Sequence, residues 1–243
     1  LFLIIQTQLS LVVAGAAFRH SLGKFSMIDI ISEAAKKVSE DIESMRYADK
    51  APPDKKVSSL VSIDWRNVLP EPPENNSRTT REEIQEVASL SKKRTPNQNR
   101  LIELVDKDVK LIFDPLLEKH NLSYPAEKIK KLYDTVIFPV IMNLKWQYNR
   151  PRPHQLSPKF GVEINYISTD TTDTPSYPSG HTAYAAMLAS VLSEMYPEYS
   201  GELYELVNVA GKAREMQGVH YESDNDASMV IVGALWQDVR YDI

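Results

Sequence analysis

The sequence predicts an all-α fold, a helical bundle with long connections. Two observations favour it: apolar residues recur at spacings of three and four, and capping signals open one segment after another. The 243 residues are 42% hydrophobic and 25% charged, which is enough apolar material for a sizeable core in one or two domains. We therefore expect helices packed on helices.

The N-terminal part of the chain predicts an arm. Residues 1–18 are apolar but interrupted by polar side chains, which favours a packed helix or oligomer arm; a membrane or targeting remnant stays open because Ala14-Gly-Ala16 resembles a signal-peptidase site. The stripe from Ile28 to Met45 predicts a helix buried against the body or a partner. The proline-rich stretch 48–79 predicts a surface crossing, with one short strand near Val57–Trp65. We expect the arm to span residues 1–79 and the main bundle residues 80–243.

Three helices are predicted in the first half of the bundle. Thr80-Arg-Glu-Glu83 has the pattern of a capping box and opens a helix to about Lys92. Thr95-Pro-Asn-Gln98 opens a second to about Lys119, which Pro115 kinks or ends early. A third runs from Pro125 to about Asn149, with a kink expected at Pro139.

The C-terminal half predicts an irregular segment followed by three helices. Residues 155–177 are expected to be irregular, with a short hairpin around Val162–Ile167. Ser179 is a candidate cap for a helix to about Tyr196. Two further helices are expected over about Gly201 to Gln217 and about Asp224 to Arg240.

Composition excludes several function classes. The absence of cysteine excludes disulfides, thiolate zinc sites and a cysteine nucleophile. The 8 glycines form neither G-x-G-x-x-G nor a Walker loop, which excludes Rossmann and P-loop nucleotide sites. The five histidines are far apart in the sequence, so a zinc protease is not expected. The net charge of −5 argues against nucleic-acid binding as the main role.

Two segments predict a site for an anion. Lys145-Trp-Gln-Tyr-Asn-Arg-Pro-Arg-Pro-His154 ends an apolar helix with three fixed cations, which either complement the helix dipole or cradle phosphate oxygens. In Tyr177-Pro-Ser-Gly-His-Thr-Ala-Tyr184, Gly180 allows close approach of a ligand to a helix N-terminus, beside Ser179 and His181. A plain N-cap with a surface histidine is the alternative interpretation of the second segment.

A third segment, Arg214-Glu-Met-Gln-Gly-Val-His-Tyr-Glu-Ser-Asp224, carries a histidine and an aspartate four residues apart. Such a pair meets on one helix face or across a turn. A carboxylate on one ring nitrogen fixes the tautomer of His220 and leaves the other nitrogen free to attack. A surface His–Asp pair without a catalytic role is the alternative.

Together the segments contain K-x6-R-P, P-S-G-H and R-x5-H-x3-D in that order. The matching positions are Lys145, Arg152, Pro153, Pro178 to His181, Arg214, His220 and Asp224. The chain resembles the type 2 phosphatidic acid phosphatase (PAP2) superfamily, which includes class A acid phosphatases, lipid phosphate phosphatases and vanadium haloperoxidases. It is closest in character to the soluble class A acid phosphatases. One departure is Ala213, where the family often has serine.

The resemblance implies a metal-independent acid phosphatase that hydrolyses phosphate monoesters, lipid phosphates among them, with residues 80–243 as the catalytic bundle. It implies His220 as the nucleophile that forms a phosphohistidine, Asp224 as its orienting partner and His181 as the proton donor. It implies phosphate binding by Lys145, Arg152, Ser179, Gly180 and Arg214. Arg150, which duplicates the Arg-Pro pattern, His154 and Tyr177 are further candidates for the pocket.

Two alternatives remain at this stage. A vanadium haloperoxidase would hold vanadate as its cofactor in the same pocket, whereas the phosphatase needs no cofactor. A catalytically silent structural protein would keep the fold alone. The expected partner is a small-molecule or lipid phosphoester, and no nucleic acid. A homo-oligomer formed through the N-terminal helices is compatible with the sequence, as is membrane association, which the function does not require; the compartment stays open.

Overall fold

The computed structural model describes residues 27–49 and 63–240, and all regular structure in these ranges is helical. The all-α prediction is therefore confirmed. The helices are α1 (Met27–Ser44), α2 (Arg78–Lys92), α3 (Pro96–Lys107), α4 (Asp114–His120), α5 (Ala126–Leu132), α6 (Phe138–Tyr148), α7 (Pro153–Leu156), α8 (Gly180–Met195), α9 (Ser200–Met216) and α10 (Glu222–Val239).

Parts of the predicted N-terminal arm lie outside the described residues. These are the apolar stretch 1–18 and most of the predicted strand near Val57–Trp65. Trp65 itself begins a 3-10 turn, Trp65–Asn67, capped by the side chain of Asp64. The predicted strand is therefore wrong for residues 63–65, the part of that segment that the structure describes.

The start of α2 corrects the predicted capping box. The N-cap is Ser77, whose Oγ accepts from the Thr80 backbone N–H. The Thr80 hydroxyl instead donates to the Glu74 carbonyl at 2.8 Å. The side chain of Glu83 is consequently not used in a cap and points towards the C-terminal part of the chain.

The second predicted helix is shorter than expected. The capping box of Thr95 and Gln98 is present, but α3 ends at Lys107, and the 3-10 turn Val109–Ile112 separates it from α4. Pro115 lies in the first turn of α4, where a missing N–H costs nothing. Proline therefore starts a new helix here.

The third predicted helix is continuous but contains one wide turn. Residues Tyr133–Ile137 form a π-helical segment between α5 and α6, directly before Pro139. Proline cannot donate to the preceding turn, so the irregularity lies where a kink was expected. α6 ends at Tyr148, and its C-cap, Asn149, has a left-handed φ of 48°.

The segment between α7 and α8 is irregular, as expected, but the hairpin predicted around Val162–Ile167 is wrong. Ile167 donates its N–H to the Gln217 carbonyl at 3.0 Å, and the Asn165 carbonyl accepts from Arg94. The segment bonds to other parts of the fold rather than to a second strand. It ends at the N-terminus of α8.

The core is centred on α8, which packs against α9 and α10. Its residues from Ala185 to Leu192 are buried on all sides, as expected for a helix that is apolar all round. The N-terminus of this central helix carries the Ser-Gly-His sequence. The core thereby fixes the position of that sequence relative to α6 and α10.

A smaller apolar cluster joins α1 to the bundle. Ile42 packs with Ile84 and Val87 of α2 and with Tyr221, next to His220. The first half of α1 differs, since Ile28 remains 77% exposed. Among the helices within residues 27–49 and 63–240, none combines the length and the hydropathy needed to span a membrane.

Candidate active site

A cavity of about 580 Å³ opens between α3, α5, α6 and α8. Its deep end is lined by Lys145, Arg152, His181 and His220, from three sequence segments far apart in the chain. Its outer walls include Tyr133 and other apolar side chains. The fold therefore places Lys145, Arg152 and two imidazoles at one end of a pocket whose other walls combine apolar with charged side chains.

His220 and Asp224 form a buried pair. Nδ1 of His220 lies 3.0 Å from Oδ2 of Asp224, which also accepts from the Tyr221 backbone N–H at 3.0 Å. An ionised carboxylate only accepts, so Nδ1 carries the proton and Nε2 keeps its lone pair. Burial, together with Arg152 and Lys145, lowers the pKa of His220 well below its ordinary value, against the opposing effect of Asp224. The ring is thus neutral, with Nε2 unprotonated.

Carbonyl groups hold Lys145 and Arg152 at the wall of the cavity. Arg152 donates to the carbonyls of Thr174 and Val219, each at 2.9 Å, and its Nη1 lies 3.4 Å from Nε2 of His220. Lys145 donates to the carbonyls of Pro175 and Ser176. Burial, followed by the charge of Arg152, lowers the pKa of Lys145 well below its ordinary value, and an anion in the cavity would favour its charged form. Since these carbonyls fix both cations before any ligand arrives, the positive end of the cavity is preorganised.

His181 lies on the first turn of α8 and faces the same cavity. Burial lowers its pKa well below the ordinary value, and the charge of Arg214 lowers it further. The backbone of Asp106 hydrogen-bonds to it and acts in the opposite direction. In the free protein the ring is therefore neutral, and a bound anion would favour its protonation.

Arg214 forms an ion pair with Asp106, an acid that the sequence motifs do not predict. Its Nη1 donates to Oδ1 of Asp106 at 2.6 Å, and its Nη2 donates to the Thr171 hydroxyl at 3.0 Å. Asp106 and Thr171 line the cavity, and Arg214 lies behind them. Although burial alone would raise the pKa of Asp106, hydrogen bonds from Thr171 and Arg214 keep it below the usual value.

The two residues at the start of α8 have different positions. Gly180 lines the cavity, and its carbonyl accepts from the Tyr133 hydroxyl at 3.1 Å. Ser179 is fully buried as the N-cap, and its Oγ accepts from the Thr182 N–H. Its backbone N–H donates to the Asp224 carbonyl at 3.1 Å, which connects α8 to the His–Asp pair. The serine hydroxyl is thus engaged in the helix cap.

The three additional pocket candidates lie away from the cavity wall. Arg150 extends to the opposite side of Asp224 and donates to its Oδ1 at 2.7 Å. His154 stacks on Tyr166 with the ring centroids 4.1 Å apart. Tyr177 is buried, with its hydroxyl donating to the Pro70 carbonyl. Arg152 lines the cavity, whereas Arg150, two residues earlier, turns to the opposite side of the His220–Asp224 pair.

Several site residues were missed by sequence reasoning. Ser176 donates its hydroxyl to Asp224, and Glu83 pairs with Arg150 at 3.1 Å. Asp106 and Glu83 lie on helices that precede the motifs, and no local pattern marks them. The sequence contains one signal for the π-helical turn that begins at Tyr133, namely Pro139, six residues later. Within the described ranges, no group of three or more acidic or histidine side chains is arranged to hold a metal ion.

The chain was compared with family models, curated proteins and solved structures, and the family model agrees with the motifs. Residues 132–241 match the model of the PAP2 superfamily. No curated protein matches the chain. Among solved structures, one similar chain is a transmembrane PAP2-type phosphatidylglycerolphosphate phosphatase from Bacillus subtilis, with 15% identity and a TM-score of 0.44 over 69% of this chain and 89% of the other. The matched region carries all three motifs, so this part of the chain is similar to the PAP2 superfamily.

Proposed function

We propose that the protein is a phosphatase that hydrolyses phosphate monoesters through a phosphohistidine on His220. The observation that carries the proposal is the orientation of His220. Its Nδ1 is bound to Asp224, and its Nε2 points to Arg152 and into a cavity that Lys145 also lines. A nucleophile beside two fixed cations is the arrangement that attack on a phosphoryl group requires.

In the first step, Nε2 of His220 attacks phosphorus in line with the leaving oxygen. A bond forms between nitrogen and phosphorus while the ester P–O bond breaks. Lys145 and Arg152 stabilise the charge on the equatorial oxygens, together with the Gly180 N–H at the start of α8. Asp224 accepts the hydrogen bond from Nδ1 and stabilises the positive charge that develops on the ring.

His181 would transfer protons in both steps. In its protonated form it gives a proton to the leaving alkoxide, and the neutral ring then takes one from the attacking water. Water forms the new P–O bond as the P–N bond breaks, which releases phosphate and restores His220. The hydrogen bond with the Asp106 backbone supports this role, because it fixes the His181 ring at the cavity.

The outer cavity supports a substrate with an apolar leaving group. Tyr133 and Tyr184 pack at 4.7 Å between centroids, and Phe138, which is 43% exposed, extends the same wall. A volume of about 580 Å³ is ample for a leaving group larger than an alcohol of a few carbons. Aryl phosphates and lipid phosphates both satisfy this description.

The test is hydrolysis of p-nitrophenyl phosphate, with and without chelator, by the wild type and by His220→Ala and His181→Ala. We expect chelator-resistant activity that vanadate inhibits, because vanadate mimics the pentacoordinate state. His220→Ala should lose at least about 10³-fold in kcat. His181→Ala should still be phosphorylated, since nitrophenolate leaves without a proton, but should release phosphate slowly, so acid-quenched samples accumulate the phosphoenzyme.

His120→Ala is the matched control, because His120 lies on α4 and packs on Tyr199, away from the cavity. Wild-type turnover by His220→Ala would overturn the assignment of the nucleophile. Oxidation of halide by peroxide after vanadate loading, without phosphatase activity, would instead support a haloperoxidase. Inactivity of the wild type in both assays would contradict either enzymatic function.

A further inference from the structure

Arg150 is a buried cation that the proposed mechanism does not use. Its side chain is only 2% exposed and lies on the side of Asp224 opposite His220. Nη1 donates to Oδ1 of Asp224 at 2.7 Å and to the Ser223 hydroxyl at 2.8 Å. Arg150 therefore binds Oδ1 of the Asp224 carboxylate, and His220 binds Oδ2.

Glu83 of α2 completes this arrangement. Its Oε2 pairs with Nη2 of Arg150 at 3.1 Å, and its Oε1 accepts from the Ser223 backbone N–H at 2.7 Å. The guanidinium also lies 3.8 Å from the centroid of the Tyr221 ring. A cation with two carboxylates and an aromatic face as partners has a fixed position, so Asp224 is held from behind.

We propose that Arg150, anchored by Glu83, is a positioning residue that holds the Asp224 carboxylate against Nδ1 of His220 and shares its charge, so that Nε2 stays unprotonated for attack. The role in attack rests on the proposed function of His220. Arg150 does not touch the cavity and acts only through Asp224.

The charges around His220 support this role. Lys145 and Arg152 face the ring from the cavity side, and Asp224 faces it from α10. Behind Asp224 stand Arg150 and Glu83. Although burial alone would raise the pKa of Asp224, the charge of Arg150 is the largest of the effects that hold it below the usual range.

Removing the positive charge of Arg150 should raise the pKa of His220. Without that partner, the charge of Asp224 acts on His220 alone, and the protonated imidazole is stabilised. The ring then takes up a proton at a higher pH than in the wild type. We expect an upward shift of about 1 pH unit in Arg150→Met.

The experiment follows the His220 ring by NMR in the ¹⁵N-histidine-labelled full chain, from about pH 8 to about pH 4, a range that includes the ordinary histidine pKa. Arg150→Met should protonate about 1 unit above the wild type, and Arg150→Lys, which keeps the charge, within about 0.3 unit of it. Arg78→Met, which breaks an exposed pair with Glu82, is the matched control and should show no shift.

If Arg150→Met folds poorly, the double variant with Glu83→Gln avoids leaving Glu83 as a buried carboxylate without its partner, while Asp224 keeps its bonds to His220, Ser176 and the Tyr221 N–H. Its shift should remain upward, because Arg150 contacts Asp224 directly and Glu83 does not. Equal titration of Arg150→Met and the wild type would overturn the inference. So would an equal shift in Arg150→Lys, or a ring that stays neutral to about pH 4 in all variants. The titration needs no turnover, so an inactive wild type would count against the proposed function alone.

Discussion

The pair between Asp106 and Arg214 offers a direct test of how the site is held together. Asp106→Asn removes one charge while keeping the size of the side chain and an oxygen that accepts from Thr169 and Thr171. The backbone of Asp106, which hydrogen-bonds to His181, is unchanged. The variant therefore removes the ionic partner of Arg214, together with a charge that raises the pKa of His181.

The magnitude follows from burial. Arg214 is 1% exposed and 2.6 Å from Asp106, so the substitution leaves a buried guanidinium without its counter-charge. Breaking such a pair costs about 3–5 kcal/mol. Because Asp106 is 17% exposed, we expect the lower end, about 3 kcal/mol. For a chain of this size, that lowers the Tm by roughly 6–12 °C.

The assay is thermal denaturation with and without added phosphate or vanadate. The control is Asp64→Asn, which breaks an exposed pair with Arg66 and should cost under about 1 kcal/mol. A bound anion brings negative charge close to the released Arg214, so it should stabilise Asp106→Asn more than the wild type. If Asp106→Asn and Asp64→Asn have the same Tm in the absence of anions, the reasoning about the buried pair is wrong.

Three further predictions concern backbone geometry and pH. Gly218 has φ of 87°, and an added Cβ would lie 2.7 Å from Cγ2 of Ile164, so Gly218→Ala should lose about 2 kcal/mol in denaturant unfolding; an unchanged midpoint would refute this. Burial lowers the pKa of His154 to about 4, so the neutral folded state loses stability as pH falls from about 6.5 to about 4. His154→Phe should keep the stacking on Tyr166 and show a flatter Tm over that range, whereas identical slopes would contradict the assignment. Burial and Arg214 lower the pKa of His181 well below its ordinary value, so a step that needs its proton should slow as pH rises towards neutrality, and a kcat still rising above about pH 8 would exclude it as the proton donor.

Helix signals in the sequence were accurate where the capping chemistry is local. The capping box of Thr95 and Gln98 and the cap at Ser179 both lie within a few residues of the groups that they satisfy. The Thr80 box was wrong because the competing cap, Ser77, lies only three residues earlier and has the same chemistry. The hairpin at 162–167 was wrong because the bonding partners of that segment lie in other helices.

The order and spacing of the three motifs determined which residues to examine, and the cavity brings Lys145, Arg152, His181 and His220 together. The motifs did not predict that Arg214 is bound by Asp106, a residue 108 positions earlier in the chain. Such pairs form only when the packing of helices brings distant segments together.

The sequence by itself determined the helical class, the family of motifs and the His–Asp pair, because each depends on residues close enough in the chain for local geometry to fix them. Only the tertiary structure decided where the side chains of Arg150 and Arg152 end. The spacing of the first motif favours Arg152 for the pocket, but it does not predict the partners of either arginine. Glu83 of α2 and Asp224 of α10 bind Arg150, and the carbonyls of Thr174 and Val219 bind Arg152. Burying a guanidinium requires partners that offset the loss of water, and the positions of those partners are a property of the folded chain.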